Sequence, residues 1–149
     1  MKQNPLYEQY EKIRSYCEQL EAANYDSYDL YAPATAEAIQ NWENTHQAKL
    51  PEGLKNWYLL SNGFDMSYTA DILPLTSIVQ YRYDDIGLDP CFIVGHYIGD
   101  GSMLVIDGEG NFYKYDHGFC ELIPVQFEKF LTGWIQERLE DAMGDAGLL

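Results

Sequence analysis

The feature that most constrains this chain is a change of hydrophobic period, and Leu50 to Gly63 sits at the change. Before it, apolar residues recur at three- and four-residue steps. After it come short β-branched and aromatic runs broken by glycine and aspartate. The stretch itself reads as a short helix with both ends marked. Pro51 suits the first helical position, where its missing N–H would be unpaired anyway. Leu54, Trp57 and Tyr58 share one face, and Leu60 extends the stripe from Trp57. Gly63, beside Asn62, can take the left-handed conformation that closes a helix. On periodicity alone this is a core helix between a helical half and a strand half.

The flanking segments follow the same logic. Leu6, Tyr10, Ile13, Cys17 and Leu20 predict a helix over Leu6 to Ala23, with Cys17 a small buried hydrophobe. Asn24 to Pro33 reads as a loop. A second helix is expected from Ala34 to His46, with Thr35 as N-cap, Glu37 favoured by the dipole, and Ile39 and Trp42 facing inward. Ile72 to Leu75 holds Pro74 and is read as an edge strand or a strand end. Ile78 to Tyr83 is either extended or part of a helical turn capped by Thr76 or Ser77. Cys91 to Ile98 is a strand. Met103 to Asp107 and Asn111 to Tyr115 flank Gly108-Glu109-Gly110 as a hairpin. Phe119 to Ile123 is a further strand. Pro124 opens a last helix striped by Phe127, Phe130, Leu131, Trp134, Ile135 and Leu139, with Gly144 its stop and a loose tail beyond. Helices, then antiparallel strands, then a helix is an α+β order. At 149 residues the chain is read as one domain, residues 1–149, large enough to bury roughly 70% of its unfolded surface without a staple.

The same residues carry a resemblance. Leu50-Pro51 with Leu54, then Ser61-Asn62-Gly63, resembles the signature of the SUKH superfamily, which takes in fungal cell-wall-synthesis regulators and many bacterial immunity proteins. Ala38-Ile39 with Trp42-Glu43 precedes it. Ile72-Leu73-Pro74-Leu75, Gly99-Asp100-Gly101, Leu104-Val105-Ile106-Asp107, Gly110-Asn111-Phe112-Tyr113 and Phe127 to Leu131 follow in order. The match runs from about Thr35 to Leu131. Phe64 stands where such proteins often place a glycine or a polar residue, and the first helix lies outside the match. The resemblance implies a curved antiparallel β-sheet with helices packed on one side. It also implies binding without catalysis, to toxins that are often nucleases.

The residues offer little for chemistry. Asp107, Glu109 and Asn111 begin like a calcium loop, but Phe112 and Gly118 stand where glycine and glutamate are needed. Cys91, His96, His117 and Cys120 are possible zinc ligands. In a regular strand Cys91 and His96, five residues apart, face opposite ways, so the four do not converge. There is no nucleophile elbow and no phosphate-binding glycine loop. Asp116-His117, with Asp107, remains a thin basis for a hydrolase or metal enzyme. The expectation is no enzyme, no metal and no cofactor. Three widely spaced cysteines are no disulfide framework, and the opening residues lack a signal-peptide core, so a cytoplasmic setting is expected.

Charge is more informative. Twenty-four acids against nine Lys and Arg leave a net charge of −15. That disfavours nucleic acid and anionic membrane, and it favours either a basic protein partner or simply solubility. No Lys or Arg falls between Arg14 and Lys49, nor between Arg82 and Lys114. Tyrosines are threaded through both acidic runs. Asp26, Tyr28, Asp29 and Tyr31 in one, and Tyr83, Asp84 and Asp85 in the other, are the candidate partner-binding residues. Joined to this charge, the resemblance implies an immunity protein steered onto a basic toxin. The alternatives are a regulatory interaction module with several partners and, more remotely, the enzyme.

Overall fold

The structure, a computed structural model, describes residues 3–25, 28–66, 70–97, 101–116 and 118–149. Helix α1 (Tyr7–Ala22) buries Ile13, Cys17 and Leu20, the expected stripe. Helix α2 (Ala36–His46) starts at Thr35, whose Oγ1 accepts from the Ala38 N–H at 3.0 Å. Helix α3 (Glu52–Tyr58) is shorter than its sequence suggests. Pro51 stands just before the first helical residue, and the helix closes well ahead of Gly63. Gly63 serves a different purpose. Its φ is +110°, and a Cβ there would lie 2.8 Å from the Ile72 carbonyl oxygen. Close approach of a neighbouring strand, with a backbone angle that favours glycine, is what requires it.

The described residues contain eight strands: β1 (Asp29–Leu30), β2 (Phe64–Met66), β3 (Ala70–Ile72), β4 (Val79–Tyr81), β5 (Cys91–Tyr97), β6 (Ser102–Asp107), β7 (Phe112–Asp116) and β8 (Glu121–Pro124). They form one antiparallel sheet in the order β1-β2-β3-β5-β6-β7-β8, with β4 also paired to β5. The 24–33 segment is therefore not wholly loop, since β1 lies within it, and β2 has no counterpart in the sequence reading. Ile72 ends a strand with neighbours on both sides. Pro74 sits past that end and opens a 3-10 turn, Leu75–Ser77. Residues 79–81 are extended, which decides between the two readings of that run.

The last helix, α4, spans residues 127–145. Phe127–Phe130 and Glu137–Asp145 are α-helical, and Leu131–Gln136 between them is a π-helical segment. Helix α1 lies against it: Gln9 Nε2 donates to Gln136 Oε1 at 2.6 Å, and the Tyr16 hydroxyl donates to Glu140 at 3.0 Å. The amino-terminal helix thus joins the helical layer.

Side chains alternate across the sheet. Phe64, Ile72, Phe92, Leu104 and Ile106 point to the helices and form one core with Leu54, Trp57, Tyr58, Phe127, Phe130 and Leu131. Cys91, Met103, Val105 and Tyr115 belong to a second, smaller cluster, closed by Ile86 from the β4–β5 connection. That cluster sits on the opposite face, which carries no helix layer.

Candidate functional site

The Ser61-Asn62-Gly63 motif organises the acidic end of the sheet. Ser61, fully buried, donates through Oγ to the Gly63 carbonyl at 2.6 Å and accepts from the Tyr31 N–H at 2.9 Å. Asn62 Oδ1 accepts from the Leu75 N–H at 2.8 Å, and its backbone N–H donates to the Ala32 carbonyl at 3.1 Å. The Tyr58 hydroxyl donates to the Leu73 carbonyl at 2.6 Å. One tripeptide and one tyrosine therefore tie the segment carrying β1 and the segment after β3 to α3. Polar groups buried this way must all be paired, which fixes the positions of these strands.

On the helix-free face those strands carry a row of carboxylates. Asp29 lies opposite Asp65, Asp65 opposite Asp71, and Asp71 opposite His96. The row continues through Met103, Tyr115 and Leu122. Directly opposed residues have Cα atoms roughly 4.5–5.5 Å apart and point to the same face. Asp29 and Asp65 are exposed. The Asp71 carboxylate pairs with His96 Nδ1 at 2.7 Å. That bond raises the His96 pKa above its ordinary value, against the opposing effect of partial burial. Tyr31 stands at the same end: burial raises its pKa first, then the carboxylates of Asp65, Asp29 and Asp71.

At the other end of β5 the face is aromatic. Tyr83 packs edge-on against Tyr81, and Tyr81 against Tyr115, with ring centroids 5.3 and 6.0 Å apart. Asp85 accepts from both the Tyr81 and Tyr115 hydroxyls at 2.8 Å. Burial, then the bond to Asp85, pushes the Tyr81 hydroxyl up to about 12. Tyr81 and Tyr83 line a cleft of about 330 Å³ with Leu88 and Asp89.

The residues proposed from composition therefore separate. Asp29 and Tyr31 lie at the acidic end and Tyr83, 74% exposed, at the aromatic end. Tyr28 is buried at 6% exposure, so its ring packs in the core. Asp85 is held by two tyrosines and stabilises its turn. Asp26 lies outside the described residues, as does the side chain of Asp84. Asp65 and Asp71 belong to the row but were not among the sequence candidates, and His96, which also belongs to it, was singled out only as a possible zinc ligand. The alternation of Phe64-Asp65-Met66 and of Asp71-Ile72 was the available signal, since it turns both acids away from the core.

The other candidates resolve as structure. Asp107 accepts from the Glu109 N–H at 2.9 Å and from the Asn111 N–H and side-chain amide at 3.0 and 2.9 Å. It is a hairpin turn, as expected. Burial works against its charge, but the bonds from Asn111 and Glu109 hold its carboxyl below the usual range. Cys91 and His96 share a face after all, opposite Asp107 and Met103 of β6, because a bulge between Ile93 and Gly95 shifts the alternation. Cys91 is fully buried, and burial raises its thiol to about 12. His117, with Gly99 and Asp100, lies outside the described residues. Among the described residues no group of three or more His, Cys, Asp or Glu is placed to hold a metal ion, and no helix is long and apolar enough to cross a membrane.

An antiparallel sheet with one helix-covered face and one bare acidic and aromatic face is an α+β scaffold built for contact. Its family follows from the sequence: the chain belongs to the SMI1 / KNR4 family (SUKH-1), whose profile matches residues 33–133. Members are generally non-catalytic immunity or regulatory proteins, so membership supports an interaction role in general terms. A shorter stretch is similar to the tubulin polyglutamylase complex subunit 2 of Mus musculus and of Rattus norvegicus, each 37% identical over 51 residues. The Homo sapiens protein is 38% identical over 50 residues. The first two matches cover 32% of this chain and 17% of the relative, and the human one 31% and 17%, so the chain spans about a sixth of these proteins.

Proposed function

We propose that this protein is an immunity protein that binds and neutralises a cognate toxin with a basic surface, a nuclease being the best fit. The observation that carries the reading is the family match over residues 33–133. The net charge of −15 and the bare acidic face support its electrostatic part. Unneutralised acids create a field reaching about 8 Å at cellular ionic strength, which raises encounter rates with a basic partner by roughly 10- to 1000-fold. Carboxylates then pair with Lys and Arg where the toxin would hold phosphates.

The test is co-expression with the protein encoded beside this gene. The reading expects rescue of growth and a complex that co-purifies, with association slowing steeply as salt rises. No rescue and no complex contradicts it. Tight association indifferent to salt removes the steering and leaves the rest.

A second reading is a regulatory interaction module serving several partners. Its support is the similarity over about 50 residues to a protein named as a subunit of a larger complex. Several partners of moderate affinity in a pull-down, rather than one tight partner, favour it.

A further inference from the structure

The bare face presents a cost that the fold does not relieve by itself. Asp65 is flanked on both sides by directly opposed aspartates, Asp29 and Asp71. Like charges in that position destabilise a sheet. Some acids elsewhere have cations: Arg14 bridges Glu11 and Glu18 at 2.6 Å, and Lys55 reaches Glu43 at 3.5 Å. Asp71 pairs with His96, and among the described residues no ion pair is made by Asp29 or Asp65. Tyr31, 41% exposed, follows β1 two residues beyond Asp29, and after burial the carboxylates of Asp65, Asp29 and Asp71 raise its pKa.

We propose that the helix-free face at β1, β2 and β3 is the docking surface for a basic protein segment, with Asp29, Asp65 and Asp71 receiving arginine side chains and Tyr31 stacking against one of them. Charge complementarity selects the occupant. A guanidinium pairs with a carboxylate through two parallel N–H bonds and also stacks on an aromatic face, so arginine uses both features of this surface. The exposed Val79 (54%), opposite Ile93 and so roughly 10 Å along β5 from His96, extends the same face with apolar area toward Tyr83. The proposal rests on the binding reading above and adds where contact is made.

The test titrates a hexa-arginine peptide into the isotopically labelled protein at 0.15 M salt and follows backbone amide shifts. Shifts should concentrate at residues 29–31, 64–66, 70–72 and 95–97. The variant D29N/D65N/D71N should lose affinity by roughly 3- to 100-fold, three exposed ion pairs' worth. E8Q/E37Q/E128Q removes equal charge from exposed positions of α1, α2 and α4 and should change affinity less than about 2-fold. Shifts spread over all acidic segments, or equal losses in both variants, overturn the proposal and leave only bulk charge. Folding is read separately: Asp65→Asn relieves repulsion and should raise the melting temperature by roughly 1–3 °C. A lower melting temperature means that the row is not under charge strain, and that argues against it. If the neighbour-encoded protein co-purifies equally with the wild type and the triple variant, this face is wrong while the binding reading stands. If peptide shifts mark the row but no neighbour-encoded protein co-purifies, the face stands and immunity does not.

Discussion

One sheet presents two faces made by the same strands, and they are built on opposite rules. On the helix side, Phe64, Phe92, Leu104 and Ile106 are at most 2% exposed and pack against Trp57, Phe127 and Phe130. Charge there is engaged: Lys114 lies 4.6 Å from the Tyr97 ring centroid, and Arg138 4.9 Å from that of Trp134. On the other side, the residues in between carry opposed aspartates, exposed tyrosine and a small cluster closed only by the β4–β5 connection. Alternation lets the two coexist. One face supplies stability through burial, which frees the other to hold chemistry that stability alone would remove.

The largest expected effect lies on the covered face. Trp57→Ala, at a fully buried position beside Phe64, should cost about 3–5 kcal/mol in urea denaturation. A cost under 1 kcal/mol would break the comparison, because the helix side would then not be the stabilising one.

A smaller effect is expected at the rim of the bare face. Asp107→Ala removes the acceptor for Glu109 and Asn111 and should cost about 1–3 kcal/mol by thermal unfolding. The sign of its pH dependence follows from a lowered folded-state pKa. The contribution is present above the ordinary carboxylate range, roughly 3.9, and fades as pH falls through the lower folded value. A wild-type minus Asp107→Ala difference that grows as pH falls would contradict that role.

His96 gives the opposite sign. Its folded pKa is raised, so the bridge to Asp71 contributes fully below the ordinary histidine value, roughly 6.5, and is lost as pH rises through the folded value. The difference in melting temperature between wild type and His96→Ala should therefore shrink as pH rises above the ordinary histidine value, roughly 6.5. A difference that stays constant would mean that the histidine matters for packing rather than charge. The smallest effect is Tyr83→Ala, exposed on the bare face, which should change stability by no more than about 0.5 kcal/mol. A cost above 2 kcal/mol would place Tyr83 in the core of that face.

The helical layer and the β6–β7 hairpin were legible because each carries a long period or a strong turn signal. The cap at Thr35, the stripe of α1 and the Gly108-Glu109-Gly110 turn all appear where local chemistry puts them. β1 and β2 are two and three residues long: the alternation of Phe64-Asp65-Met66 tells which way Asp65 points, but runs this short do not mark a strand by themselves. α3 ended early because Gly63 answers to the Ile72 carbonyl rather than to the helix. Exposure of the candidate residues was legible only in part. Composition pointed to Asp29, Tyr31 and Tyr83, yet it also pointed to Tyr28, which is buried. The row from Asp29 to His96 depends on pairing among strands far apart in the chain and on the bulge in β5, and no local pattern encodes either.

The most direct measurement is growth of cells that express the protein encoded beside this gene together with either the wild-type chain or D29N/D65N/D71N. The account predicts that the wild type rescues growth and that the triple variant, shown by circular dichroism to be folded at the growth temperature, does not. Rescue by both would contradict the role given to the bare face, and rescue by neither would contradict the immunity function itself.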